Sequence, residues 1–148
     1  RSTRGEARER LAADGIDTDP TPWSPVGLRL RGRANISACE AFRDGAVEVQ
    51  DEGAQLAALL TDVRPGQTVL DACAGAGGKT LALAAVMAGS GNLVAFDADK
   101  RRLARARARL ARAGALVNIA ESEGSLPMHA EELQRTIASL ACAIRTPL

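Results

Sequence analysis

The run Val69-Leu70-Asp71-Ala72-Cys73-Ala74-Gly75-Ala76-Gly77-Gly78-Lys79-Thr80 constrains the fold of this chain more than any other stretch. Val69-Leu70 predicts a buried strand that ends at Asp71. Glycines follow at 75, 77 and 78, and a helix is expected from about Lys79 to Met87. Glycine adopts positive φ and lets backbone approach a ligand without a Cβ clash. A helix N-terminus just beyond offers free N–H groups. A strand, a glycine loop and a helix in this order predict the opening of a βαβ unit.

The pattern repeats downstream. Gly89-Ser90-Gly91-Asn92 breaks the helix, and Leu93-Val94-Ala95-Phe96 predicts a second buried strand ending at Asp97. Residues 99–113 predict a helix whose apolar stripe is Leu103, Ala106, Leu110 and Ala113, with Gly114 ending it. Leu116 to Ala120 predicts a third strand. The whole is a βαβαβ unit, which implies a parallel sheet with right-handed crossovers and helices on its faces. Ligands of such sheets bind outside the carboxyl ends of the strands, where Asp71, the loop and Asp97 fall. Three parallel strands make the N-terminal half of a doubly wound, Rossmann-like α/β sheet, with an open edge to cover.

Residues 1–50 predict a small α+β accessory segment before this unit. A helix is expected over 3–13, ended by Asp14-Gly15, followed by the Pro-rich connector Asp19-Pro20-Thr21-Pro22-Trp23-Ser24-Pro25. Leu28 to Arg31 and Ala46 to Gln50 alternate as half-buried strands do. The cofactor unit is expected over 51–120. It starts with a helix over 52–62 that Asp51 caps and that places Leu56, Leu59 and Leu60 on one face. The remainder, 121–148, predicts a divergent tail with an amphipathic helix over 131–145.

Composition excludes several classes. Aromatic content is 2%, which leaves few rings on which to stack bases. Net charge is +1, yet residues 100–113 hold Lys100 and six arginines with no acid. That run reads either as a solvated helix face or as a phosphate-facing patch. Cys39, Cys73 and Cys142 are odd in number and widely spaced, which argues against disulfides and a zinc site and suits a reducing, cytoplasmic setting. No metal is expected. No stretch approaches the roughly 20 apolar residues of a membrane span, so no membrane association is expected. The N-terminus leads into no apolar segment of a secretory signal, and it lacks Met, which suggests part of a longer protein.

Three readings of the loop compete. A P-loop requires G-x-x-x-x-G-K-[ST]; Gly78-Lys79-Thr80 fits its end, but Cys73 stands where its first glycine belongs. A dinucleotide fingerprint requires G-x-G-x-x-G, and Thr80 occupies the last position. The third pattern is D-x-x-x-G-x-G with an acid ending the next strand, and Asp71, Gly75, Gly77 and Asp97 fit it throughout. An acid beside the loop repels a pyrophosphate and attracts a cationic sulfonium and ammonium, which favours S-adenosylmethionine. A carboxylate at Asp97 can accept from ribose hydroxyls. Against this stands a purely structural reading, in which Asp71 caps the loop and Asp97 caps the next helix. Cys73 reads as a packed small residue.

Gln50-Asp51-Glu52-Gly53-Ala54-Gln55-Leu56 and the run from Val69 to Thr80 together resemble the Sun/Fmu (RsmB-like) family of 5-methylcytosine RNA methyltransferases. Its members show V-Q-D-x-x-S/A-Q and then D-x-C-A-A-P-G-G-K-T; here Gly75-Ala76 replaces Ala-Pro. The stretch from Pro22-Trp23-Ser24-Pro25 through Gly45 resembles the segment before the catalytic domain. The resemblance covers roughly residues 3–120 and implies a class I methyltransferase fold. It implies that the loop Cys73, Ala74, Gly75, Ala76, Gly77, Gly78 and Lys79 holds the methionine end of S-adenosylmethionine, with Asp71 as a further cofactor-binding residue beside it. Asp97 would hold the ribose, with Arg102 matching an arginine that commonly follows this acid. The partner that the resemblance implies is RNA, of the rRNA class, methylated through a covalent cysteine adduct. The family's D-A-P-C-S and T-C-S motifs do not occur in this chain, so no catalytic residue is assigned. Cys142 reads as a buried helix residue. Glu121 and Glu123 match the family's adenine-contacting acid only loosely. Two other classes remain as alternatives, a non-catalytic RNA- or cofactor-binding module and a P-loop nucleotide hydrolase.

Overall fold

The computed structural model describes residues 2–122 and Ser125. The helix expected over 131–145, Cys142 and Glu123 lie outside the described residues. Helix α1 (Arg4–Ala13) starts with a capping box: the Thr3 side chain accepts from Glu6 N, and the Glu6 carboxylate accepts from Thr3 N at 2.6 Å. Strands β1 (Thr18–Pro20) and β2 (Leu28–Leu30) pair antiparallel, with Thr18 opposite Leu30 and Pro20 opposite Leu28. Pro20 is tolerated because this ribbon has only two strands and both are edges. A 3-10 turn (Ile36–Ala38) and the short helix α2 (Glu40–Arg43) follow. Leu11, Ile16, Cys39 and Ala41 form a small core here, flanked by Leu28, Phe42 and Val47.

The strand expected over Ala46 to Gln50 is absent. Val47 N donates to Ala41 O and Val49 N to the Glu48 carboxylate, so no ladder forms. The alternation misled because Val49 is 63% exposed. Glu48 is the residue that turns inward, to meet two arginines.

Helix α3 spans Glu52–Leu59, shorter than expected. Asp51 occupies the N-cap position, but its side chain makes no capping bond; its backbone carbonyl accepts from Ala54 N and Gln55 N instead. The helix stops before 62 because Asp62 adopts φ 49° and Thr61 Oγ donates back to Ala58 O. Leu60 therefore lies outside the helix and is 84% exposed, while Ala58 carries the buried face.

Strands β3 (Thr68–Asp71), β4 (Asn92–Ala95) and β5 (Asn118–Ile119) form a parallel sheet in the order β3-β4-β5. Helix α4 (Gly78–Met87) links β3 to β4, and α5 (Lys100–Arg112) links β4 to β5. Central β4 is buried at Leu93, Val94 and Ala95, whereas β3, at the sheet edge, is only half-buried. That edge explains why the strand expected to be buried at Val69-Leu70 is not. β5 is shorter than the expected 116–120, and Leu116 points to solvent.

The core divides between the two helices. Leu83, Ala84 and Met87 of α4 pack with Ala58 and Leu93. Leu103, Ala106 and Leu110 of α5, three of the four stripe residues read from the sequence, are nearly fully buried against Ala74, Ala95 and Leu81, while the fourth, Ala113, follows the helix as its C-cap and is half-buried. Burying a leucine stabilises by about 1.5–3 kcal/mol, so this stripe fixes α5 against the glycine loop.

Candidate functional site

β3 and β4 end side by side, with Asp71 in register with Ala95. The ladder continues past the strands: Phe96 N donates to Asp71 O and Ala74 N to Phe96 O, both at 2.9 Å. The loop after β3 and the turn after β4 are thereby stitched into one edge, and side-chain bonds complete the stitching.

Asp97 is 7% exposed. Its Oδ2 accepts from Gly75 N at 2.7 Å and its Oδ1 from Asp99 N at 2.9 Å. Arg102 Nη1 lies 3.8 Å from Oδ2. A buried carboxylate is costly unless it is hydrogen-bonded and paired, and these three groups offset that cost. Asp97 does not cap α5; Asp99 does, accepting from Arg101 N and Arg102 N. With roughly four lone-pair sites on a carboxylate, Asp97 retains acceptor capacity beyond its two backbone bonds.

Asp71 grips both ends of the loop. Its Oδ2 accepts from Thr80 Oγ at 2.7 Å and its Oδ1 from Cys73 N at 3.4 Å. The sequence did not mark Thr80 as a partner, although among the described residues it is the largest fully buried side chain. A hydroxyl buried and donating to a carboxylate is withdrawn from the cation-binding role that a P-loop requires of it.

Gly75 has φ 55° and Gly77 has φ 84°, conformations that disfavour other residues. Gly77 also lets α5 approach. A Cβ there would sit 3.0 Å from Ala106 Cβ and 3.2 Å from Ala106 Cα. The missing side chain of Gly77 thus faces a helix, a packing role that the sequence did not indicate. Arg102 lies over Gly75, where a Cβ would be 2.7 Å from its guanidinium.

Ala74 is buried and Ala76 and Gly78 are half-buried, while Cys73 and Lys79 are exposed. Cys73 is therefore not the packed residue expected; the cysteine buried among the described residues is Cys39. Lys79 has no partner among the described residues. Glu121 is exposed and paired with Arg107 at 2.7 Å.

The sequence placed two further residues on a family motif and in a basic run, but not beside the loop. Arg109 Nη1 donates to Ala76 O at 3.0 Å and its Nη2 to Val49 O at 3.2 Å. Gln50 Nε2 is buried without a hydrogen-bond partner, 3.6 Å from where a Cβ on Gly78 would stand. The alternation of 46–50 did not indicate that this stretch reaches the loop; the signal there was the motif that begins at Gln50. Among the described residues, no group of three or more His, Cys, Asp or Glu converges on a metal position, and no helix is long and apolar enough to cross a membrane.

The family model of the 16S rRNA methyltransferase RsmB/F matches residues 58–140. The chain belongs to the RsmB/F family. That match runs past residue 120, where the resemblance was expected to end. The ribosomal RNA small subunit methyltransferase B of Pseudomonas putida is 43% identical over 102 residues, which is 69% of this chain and 23% of that protein. Its counterpart from Photorhabdus laumondii is 32% identical over 133 residues, covering 90% of this chain and 31% of its own length. A methyltransferase homologue from Pyrococcus horikoshii superposes with a TM-score of 0.75 at 28% identity, over 91% of this chain and 43% of that one. The RsmB/F chain described here therefore spans about a quarter to a third of the curated relatives it matches. Its parallel α/β sheet, expected from the βαβαβ pattern, has the class I methyltransferase architecture that the family resemblance implied.

Proposed function

We propose that this chain forms the S-adenosylmethionine-binding part of an rRNA cytosine-C5 methyltransferase. The observation that carries the reading is Asp97, a nearly buried carboxylate bonded to Gly75 N inside the glycine loop. One acid thus orders the loop and presents negative charge at the carboxyl edge of the sheet. Asp71 adds a second charge at the loop's base. Two acids at this edge suit a ligand bearing a sulfonium and an ammonium, and oppose a pyrophosphate.

When bound, S-adenosylmethionine supplies an electrophilic methyl group. This chain's residues would bind and orient it. The backbone from Cys73 to Lys79, held in shape by Asp71, would receive the methionine end. The remaining lone pairs of Asp97 would accept from the ribose, with Arg102 Nη1 beside that carboxylate helping to aim it. Neither cysteine motif of the family occurs in these 148 residues, so the reading assigns no nucleophile here. Calorimetric titration tests it: saturable binding of S-adenosylmethionine with none of ATP-Mg supports the proposal, and the reverse order defeats it.

A second reading concerns RNA, and α5 favours it only in part. Arg102, Arg107, Arg109 and Arg112 are committed to Asp97, Glu121 and Glu48. Lys100, Arg101 and Arg105 are exposed, and their side chains have no partner among the described residues. Three phosphate contacts to single-stranded RNA would give a log–log salt slope of about −2. A flat salt response, or no binding at low salt, removes this reading.

A further inference from the structure

We infer that Arg109 is a positioning residue that couples the cofactor loop to the segment before α3, with Glu48 as its anchor. The inference rests on the reading of the loop as the S-adenosylmethionine site. The loop carbonyl of Ala76 lies between two left-handed residues, Gly75 at φ 55° and Gly77 at φ 84°. Such a peptide has no helix or strand ladder to hold it and depends on an outside donor. Arg109 Nη1 supplies that donor at 3.0 Å.

The same guanidinium is held from its other side. Its Nη2 donates to Val49 O at 3.2 Å and stands 3.3 Å from Glu48 Oε1. Arg109 is three-quarters buried, and its planar fork allows one residue to bridge two backbone segments 27 positions apart in the chain (76 minus 49).

Glu48 does not depend on Arg109 alone. Arg112, one turn further along α5, pairs with its other oxygen. Arg112 also donates to Phe42 O at 2.8 Å and stacks 3.7 Å above the Phe42 ring. Gly45 closes the contact, since a Cβ there would lie 2.5 Å from Ala113 Cα. Residues 42–49 are thus clamped to α5 by one carboxylate and two arginines, and one of those arginines reaches on to the loop. Any ligand that fixes the loop must then favour the clamped arrangement, and the coupling is reciprocal. Glu48, which does not belong to the loop, should matter to cofactor affinity.

The test uses the whole chain and S-adenosylmethionine as the probe. In the wild type, adding cofactor should slow hydrogen exchange at Val47 N, whose bond is to Ala41 O outside the loop, as well as at Gly77 N. Glu48→Gln should lower affinity at least about fivefold, in the usual range of coupling between sites. Arg109→Lys, which keeps the charge but loses the fork, should not restore the coupling. Unchanged affinity in Glu48→Gln, or cofactor protection confined to 73–80 in the wild type, overturns the inference while leaving the cofactor site intact. Absence of any binding by the wild type overturns the functional reading instead, and the inference with it. The exchange experiment needs no variant, so a misfolded mutant would not obscure the answer.

Discussion

At the scale of residues, the site is built from acids that do structural work first. Asp97 and Asp71 each accept two hydrogen bonds from the chain itself. The two readings of these acids, as loop braces and as ligand groups, are therefore compatible, because a carboxylate has more acceptor sites than the brace uses. Asp97→Ala should weaken S-adenosylmethionine binding by about 1.5–3 kcal/mol, the worth of a hydrogen bond to a charged group. Titration calorimetry reads this directly, and an unchanged affinity would mean that the ribose lies elsewhere. Gly77→Ala should destabilise the fold by about 1–2 kcal/mol from its left-handed backbone alone, with the close approach of Ala106 adding to that cost. Urea denaturation measures it. Gly77 illustrates what a motif conceals: its spacing was legible, but whether the bare face meets a ligand or a helix depends on where α5 packs.

At the scale of elements, α5 was the best-read part of the chain. Its stripe of Leu103, Ala106, Leu110 and Ala113 follows from a period of 3.6; the first three are buried, and Ala113, just past the helix, is half-buried. Its basic face was legible as charge but not as wiring, since the acids that answer Arg107, Arg109 and Arg112 come from residues 48 and 121. Helix α3 shows the same division. Glu52 in its first turn accepts from Ser24 N at 2.7 Å and Trp23 N at 2.8 Å, fastening the Pro-rich connector. The Ser24 N–H holds the Glu52 carboxyl below its ordinary value, with Thr21 and Trp23 adding to that lowering. A carboxyl whose folded pKa is depressed contributes stability above its unfolded pKa, and loses it as pH falls through the folded pKa. Acidification below about pH 4.5, the ordinary glutamate value, should loosen the connector from α3. Fluorescence of Trp23, the sole tryptophan, should report the release, and Glu52→Gln should shift or abolish the transition. A transition unaltered by that substitution would assign it to another group.

At the scale of the whole molecule, the three-stranded sheet presents β3 as a half-buried edge, and the accessory core around Leu11, Ile16 and Ala41 docks on α5 through Glu48 and Gly45. No D-A-P-C-S or T-C-S motif occurs in the 148 residues. This chain alone should bind cofactor and show no methyl transfer to cytosine in an assay with labelled S-adenosylmethionine, and robust turnover would contradict the assignment. The sequence by itself determined the order of elements from β3 to β5, the position of the glycine loop and the two acids beside it. Each of these depends on local periodicity, on glycine's conformational range, or on an acid placed where a strand ends. Only the tertiary structure decided that 46–50 is not a strand, that Val49 faces solvent while Glu48 turns inward, that Cys73 is exposed, and that Arg109 ties that stretch to the loop. These outcomes depend on pairs such as Glu48 with Arg112 and Val49 with Arg109, which stand 64 and 60 residues apart. No local pattern encodes a contact at that separation.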